Sequence, residues 1–316
     1  METGNTVLPR KQRTLHAPPF RLTERDTQII EAVHRYRILE RSQVEQLFFA
    51  QADGLAHTNT NRARERLRFL YQHGYLERIL RPIHPWLGSH GPAYRLAARG
   101  ARLLAECTGT SLHEFHYWGR GDDKDARQTQ VTSMFLEHGI AAASVRIAIE
   151  RAALANGCRI EVWHDEITVR RNREWDSVMV ALSPERQPER IPIIPDGYFV
   201  LTTPQGRGHF FLEVDRTTET IANRWQRKIW GYKEYVLSGG FHQRYALNGP
   251  QTPLRILTTT LSPERAQNLK VAAERYGPPQ AAQLFLFAPL SDISTHNPLT
   301  SVMWLRAGDV DRQAIL

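Results

Sequence analysis

The chain changes its hydrophobic rhythm about a third of the way along. Up to residue 112 apolar positions recur mainly at helical spacing; after residue 158 they gather into strand-length runs separated by helical stretches. Residues 22–36 predict a helix, with Thr23 as a good N-cap and Ile29, Ile30, Val33 and Tyr36 on one stripe. A second, short helix begins at Ser42, with Val44, Leu47 and Phe48 as its buried side, and the polar stretch 51–58 leads to a third. That third helix, 60–73, turns Ala63, Leu67 and Leu70 inward and ends at Gly74, a residue suited to a left-handed C-cap. Residues 75–80 and 93–96 predict a hairpin around a tip rich in proline, glycine and histidine, and 99–106 a further helix.

A linker is expected at 113–123, where aromatics give way to glycine and charge. A long helix follows over 125–155, with Val131, Phe135, Ile140, Val145 and Ile149 among its apolar positions. Strand-like segments come next at 159–170, 193–201 and 208–215, the last two joined by the turn Thr203-Pro-Gln-Gly-Arg-Gly208. A helix over 219–237, capped by Thr218, leads to a strand at 254–260, a helix at 263–276 and strands near 283–287 and 301–306.

At 316 residues the chain exceeds the usual single-domain size. The expected division is a basic arm over 1–20 (Arg10, Lys11, Arg13), a helical domain over 21–112, a linker over 113–124 and a mixed domain over 125–316. A hydrophobic content of 41% supplies a core, and no run is apolar and long enough to cross a bilayer. The start carries no apolar stretch of the kind a signal peptide needs. Only Cys107 and Cys158 are present, which argues against a disulfide scaffold or a zinc finger and fits a reducing cytoplasm. The net charge of +8 favours a polyanionic partner.

Three helices followed by a β-hairpin, with arginines on the third helix, is the order of a winged helix-turn-helix. With Ala63, Leu67 and Leu70 inward, Asn61, Arg64 and Arg68 project outward, and Arg62 and Arg66 flank them. Such a helix suits the major groove, where Arg and Asn reach phosphates and base edges. Arg81, His84 and His90 at the hairpin tip would meet the adjacent backbone. The expected partner is double-stranded DNA in a nucleoid setting, not a membrane. An ordinary solvated helix face is the plainer alternative, and winged helices also mediate protein contacts.

Two apolar runs carry the candidate chemistry. Asp196 lies within Ile193-Ile-Pro-Asp-Gly-Tyr-Phe-Val200, and Glu213 and Asp215 close Phe210-Phe-Leu-Glu-Val-Asp215. Alternation along a strand puts Glu213 and Asp215 on one face and Phe210, Leu212 and Val214 on the other. Carboxylates converging from neighbouring strands repel unless a cation or proton lies between them. Asp196, Glu213 and Asp215, with Glu166 as a fourth carboxylate, are therefore candidate ligands for Mg²⁺ or Mn²⁺ in phosphodiester chemistry. Each has a plainer role as well: a turn acid at Asp196, a strand-end ion pair with Arg216 or Arg224 at Asp215, and Arg170 or Arg171 as partners of Glu166.

A helix, three strands, a helix and a strand is the core order of the PD-(D/E)xK nucleases. Pro195-Asp196 with Glu213-x-Asp215 lies where their motif lies, so a restriction-endonuclease-like mixed sheet flanked by helices is expected. Over nearly its full length the chain resembles the replication-relaxation family, proteins associated with plasmids and integrative elements. The resemblance rests on Leu22-Thr-Glu-Arg-Asp26, Leu136-Glu-His138, Trp163-His-Asp-Glu166, Pro195-Asp-Gly197, Glu213-Val-Asp-Arg-Thr-Thr-Glu219 and Lys228-Ile-Trp-Gly-Tyr232. It implies DNA binding in the replication or relaxation of a mobile element's DNA; if the acidic residues form an active site, the expected activity is Mg²⁺-dependent nicking of duplex DNA. A second copy of the chain and other replication or transfer proteins of the element are the further partners. The chain departs from the nuclease pattern at Asp215, which replaces the usual lysine. Lys228, on the next helix, is the candidate to reach back and complete a catalytic set of Asp196, Glu213, Asp215 and Lys228, with Arg227 and Lys233 less well placed. The alternative is a non-catalytic replication or transcription factor on a degenerate nuclease fold. No GxxxxGK[ST] loop or GxSxG elbow is present.

Overall fold

The computed structural model describes residues 13–14, 17–49, 60–81, 91–117, 133–171, 175–182, 187–216, 220–245 and 254–316. The chain forms two compact units, Met1–Ala143 and Ser144–Leu316.

In the first unit α1 (Glu24–Tyr36) starts at Thr23, whose side chain accepts from the Asp26 amide while Asp26 accepts from the Thr23 amide, a reciprocal cap. The expected stripe of Ile29, Ile30, Val33 and Tyr36 is buried. A two-residue strand β1 (Leu39–Glu40) precedes α2 (Arg41–Phe48). Val44 is buried as expected, but Leu47 and Phe48 are only partly so, and Gln43 takes core space. The Gln43 amide is satisfied there by donating to the Ile140 carbonyl at 2.9 Å. In α3 (Thr60–Gln72), Ala63, Leu67 and Leu70 have no exposed surface. Gly74 follows at φ 76°, a left-handed position that L side chains avoid. Strands β2 (Leu76–Ile79) and β3 (Ala93–Leu96) pair antiparallel, and β1 adds to β3, giving the order β1-β3-β2. Helix α4 (Ala98–Thr108) completes the set.

The boundary between the units falls within α5 (Ser133–Ala155). Ile140, Val145 and Ile149 of this helix are buried, whereas Phe135 is exposed; Val131 lies outside the described residues.

The second unit is built on a seven-stranded mixed sheet, ordered β12-β11-β10-β9-β8-β7-β4. Its strands are β4 (Arg159–Asp165), β7 (Gly197–Thr203), β8 (Gly206–Asp215), β9 (Leu254–Thr260), β10 (Phe285–Pro289), β11 (Trp304–Arg306) and β12 (Arg312–Gln313). The β8–β9 and β9–β10 pairs are parallel and the rest antiparallel. Each parallel step needs a crossover, supplied by α7 (Gln226–Leu237) with α8 (Gly240–Tyr245), and by α9 (Pro263–Arg275). A short helix α10 (Leu290–Thr295) follows β10.

Two expected strands are corrected by the structure. The first ends at Asp165, because residues 166–171 form a short helix, α6 (Glu166–Arg171). The second is broken at Pro195: β6 (Glu189–Ile193) pairs instead with β5 (Asp176–Val180) as a separate hairpin, and β7 begins at Gly197. Proline has no amide hydrogen for a ladder, which accounts for the break. Thr218, the expected cap, lies outside the described residues; the helix there opens as a wide turn, Ile221–Trp225, before α7.

The two faces of the sheet differ. On one, Trp163, Phe199 and Phe210 stack in a row across β4, β7 and β8, with ring centroids 4.8 Å apart at each step. On the other, Tyr198, Val200, Phe211 and Ile256 join Trp225, Ile229, Tyr232 and Tyr235 of the crossover in the main core. Helix α7 approaches the β5–β6 hairpin so closely that a Cβ on Gly231 would stand 2.8 Å from Ile191 Cγ2. Among the described residues no helix is long and apolar enough to cross a membrane.

Candidate functional site

Strand register brings the acids together. Gly197 pairs with Leu212 and with Asp165. One residue before it, Asp196 therefore falls opposite Glu213 on one side and Glu166 on the other. The Glu166 amide donates to the Asp196 carbonyl at 3.2 Å, and the Val214 amide donates to Asp196 Oδ2 at 2.7 Å. A carboxylate oxygen of Glu166 lies within 4.8 Å of one from Asp196. Glu213 of β8, Asp196 just before β7 and Glu166 at the start of α6 thus lie next to one another.

Glu213 is buried, and Lys228 Nζ donates to its Oε2 at 2.8 Å. The Tyr232 hydroxyl donates to its other oxygen. The Glu213 carboxyl is raised to about 7, chiefly by burial; the Lys228 ammonium opposes the rise and the Asp196 charge adds to it. Lys228 and Tyr232, four residues apart, lie on the same side of α7, which is why one carboxylate receives both. The expected reach of Lys228 back to the sheet is thus present. Lys233 points elsewhere: it is buried and donates to the carbonyls of Ala273 and Tyr276 at 2.7 Å each, capping the end of α9. Arg227 pairs with Glu189 at 3.1 Å.

Asp215 shares the face of Glu213 but has other partners. Arg265 Nε donates to it at 2.7 Å from the first turn of α9, and Trp225 Nε1 at 3.1 Å. Glu166 accepts from Arg170 Nε at 2.6 Å on the exposed side of α6. The structure therefore gathers Glu166, Asp196, Glu213 and Lys228, and engages Asp215 in a separate ion pair. Sequence reasoning missed Arg265 and assigned Tyr232 no role at the site. The signal for Tyr232 was its four-residue offset from Lys228; Arg265 carried none until β9 was known to run parallel to β8. Carboxylates of Glu166 and Asp196 with an oxygen of each within 4.8 Å of the other, and Glu213 opposite Asp196, are hard oxygen donors of the kind a divalent cation such as Mg²⁺ takes.

In the first unit α3 sorts its own polar residues. Asn61, Arg62 and Arg64 are exposed, and Arg68 is partly so. Arg66 instead turns toward Asp26, which has no exposed surface; Arg66 Nε donates to Asp26 Oδ1 at 2.8 Å, and its Nη2 donates to Oδ2 and to the Arg21 carbonyl. The Arg81 guanidinium is nearly buried between Glu40 and Glu137, with donor–acceptor distances of 2.7 Å to each. His84 and His90 lie outside the described residues.

The second unit is thus a mixed α+β domain whose sheet carries a carboxylate–lysine cluster at the ends of three strands, and the first is a small helical unit with a three-stranded sheet. The chain belongs to the replication-relaxation family, whose model matches residues 30–252 and so spans both units. No curated protein and no solved structure matches it.

Proposed function

We propose that the protein binds duplex DNA through a winged helix-turn-helix in its first unit and nicks it at the acidic cluster of its second, in the replication or relaxation of a mobile element's DNA. The observation that carries this is Lys228 Nζ at 2.8 Å from Glu213, with Asp196 alongside, one residue before the neighbouring strand β7. In the PD-(D/E)xK pattern a lysine follows the second acid on the same strand. Here Asp215 occupies that position, and Lys228 delivers an ammonium to the same carboxylate from the following helix.

Glu166, Asp196 and Glu213 would hold a divalent cation, which supplies Lewis-acid polarisation of a phosphoryl oxygen. Lys228 would orient the attacking water and stabilise charge building on the phosphate. Glu213 holds Lys228 in place, and Asp215, held by Arg265 and Trp225, fixes the end of β8. The exposed Asn61, Arg62 and Arg64 would meet the major groove, with Arg68 beside them.

The test is conversion of supercoiled plasmid to the nicked form in Mg²⁺. Activity is expected in the native protein and a drop of about a hundredfold or more in Asp196→Ala, in line with loss of an electrostatic group from an active site. Equal nicking by the variant removes the assigned site. A second reading, a non-catalytic DNA-binding factor, is favoured by the way Lys228 and Tyr232 already satisfy Glu213. Calorimetry that finds no Mn²⁺ binding while DNA affinity stays intact would select it.

A further inference from the structure

Arg81, the residue past β2 expected to meet the DNA backbone, is held instead by Glu40 and Glu137. Arg78, earlier on β2, is placed differently. It pairs with Tyr94 across β2 and β3, so the two side chains share a face of the small sheet. Leu39 of β1 pairs with Tyr94 from the other side, and two residues beyond it Arg41 opens α2. Three arginines converge on Tyr94: burial raises its phenol, and the guanidinium groups of Arg78, Arg41 and Arg64 oppose that rise.

The carboxylates carried by these elements are engaged elsewhere or by one arginine alone. Glu45 pairs with Arg41 at 3.1 Å, and Glu40 with Arg81. Glu77 lies on the opposite face of β2 and pairs with Arg13, while Glu65 acts by charge on Arg66. Among the described residues no ion pair joins Arg64 or Arg78 to a carboxylate. Arg78 is held by the Tyr71 ring, 4.4 Å from its guanidinium carbon, and its buried Nη2 has no acceptor among the described residues. A ring face fixes a guanidinium without neutralising it, so the charge remains for an anion from outside. That anion has access: Arg41 and Arg64 are exposed and Arg78 is half-buried. Planar guanidinium forks from β2, α2 and α3 match phosphate oxygens. Arg64 shares its helix turn with Asn61 and Arg62, the residues turned to the groove in the function proposed above.

We propose that Arg41 and Arg78, together with Arg64, grip the sugar–phosphate backbone of duplex DNA at the flank of α3. The inference rests on the reading of the first unit as a DNA-binding unit and deepens it. Phosphate contacts set orientation and register, whereas base edges carry sequence. The hairpin thus contributes through its first strand and α2 through its first residue, and loss of either arginine weakens binding to every sequence alike.

The experiment is fluorescence anisotropy of a labelled duplex titrated with the full chain over a series of salt concentrations. Arg78→Gln and Arg41→Gln should each flatten the slope of log affinity against log salt by about 1, equally on A·T-rich and G·C-rich duplexes. Arg78→Lys should restore the slope, because it returns the charge. An unchanged slope in either glutamine variant overturns the proposal. Arg41 is exposed, so its variant decides even if loss of Arg78 disturbs folding. A slope that stays flat in Arg78→Lys while the melting temperature falls also overturns it, since Arg78 would then only pack on Tyr71. Inorganic phosphate binding the native protein as tightly as the duplex does the same, because the site would take a free anion. If Arg62→Ala/Arg64→Ala flattens the slope and the glutamine variants do not, DNA binding by α3 stands and this assignment falls. A native protein with no salt-dependent duplex binding overturns both.

Discussion

Asp26 has no exposed surface, and its partner Arg66 comes from the very helix expected to face DNA. Burial alone would raise the Asp26 carboxyl; hydrogen bonds from Arg66 and Thr23 outweigh it and hold the group below its ordinary 3.8. A carboxyl depressed on folding stabilises the native state above its unfolded value, and that contribution is lost as pH falls through the folded value. Arg66→Ala should therefore cost about 3 kcal/mol in urea denaturation at pH 7, the scale of a broken buried pair. The deficit should shrink as the pH is taken below 3.8. Arg62 and Arg64 differ from Arg66 in what they touch, although the sequence sets all three in one basic run. Helical periodicity placed the inward face of α3 correctly, because it depends only on near neighbours. It could not assign Arg66, whose buried partner is forty residues away in the chain.

At the scale of elements, α7 shows how one helix serves packing and the candidate site together. Gly231 lets it approach the β5–β6 hairpin, Lys228 and Tyr232 face Glu213, and Lys233 caps α9. Gly231→Ala raises helix propensity, yet its Cβ meets the branched Ile191 side chain at 2.8 Å. The clash should win, with a loss of about 1–2 kcal/mol in chemical denaturation. Lys233→Met keeps most of the buried volume but leaves two carbonyls without their donor, an expected loss of about 2 kcal/mol. Burial lowers the Lys233 ammonium from 10.5 to about 8. Between those values the unfolded chain holds a proton that the folded chain has released, so this group's contribution to stability rises with pH. Denaturation midpoints of native protein and Lys233→Met, compared at pH 8 and pH 9.5, should diverge in that direction. The β5–β6 hairpin itself was not legible in the sequence. Its strands flank 181–188, a polar stretch with two prolines, and β6 shares Ile193 with what reads as one longer strand.

For the whole molecule, the +8 charge predicts salt-sensitive DNA binding, and the exposed arginines of α3 predict where that sensitivity arises. The double variant Arg62→Ala/Arg64→Ala should keep its melting temperature. Its slope of log affinity against log salt should flatten by about 2, one phosphate contact for each arginine. An unchanged slope in equilibrium binding would place the DNA contact elsewhere. The family match covers residues 30–252, beyond which β9, α9 and β10 to β12 extend the sheet. That extension meets the end of β8 through Arg265, which holds Asp215.

By itself the sequence determined the periodic helices and the central strands, the acidic ends of those strands, and Lys228 as the cation able to reach them. These are local matters: repeat, cap and turn chemistry act over a few residues. Only the tertiary structure decided that Asp196 falls opposite Glu213 and next to Glu166 while Asp215 is drawn to Arg265. Register and crossover direction join residues tens of positions apart, and nothing in the spacing along the chain encodes which face of which neighbour a side chain will meet.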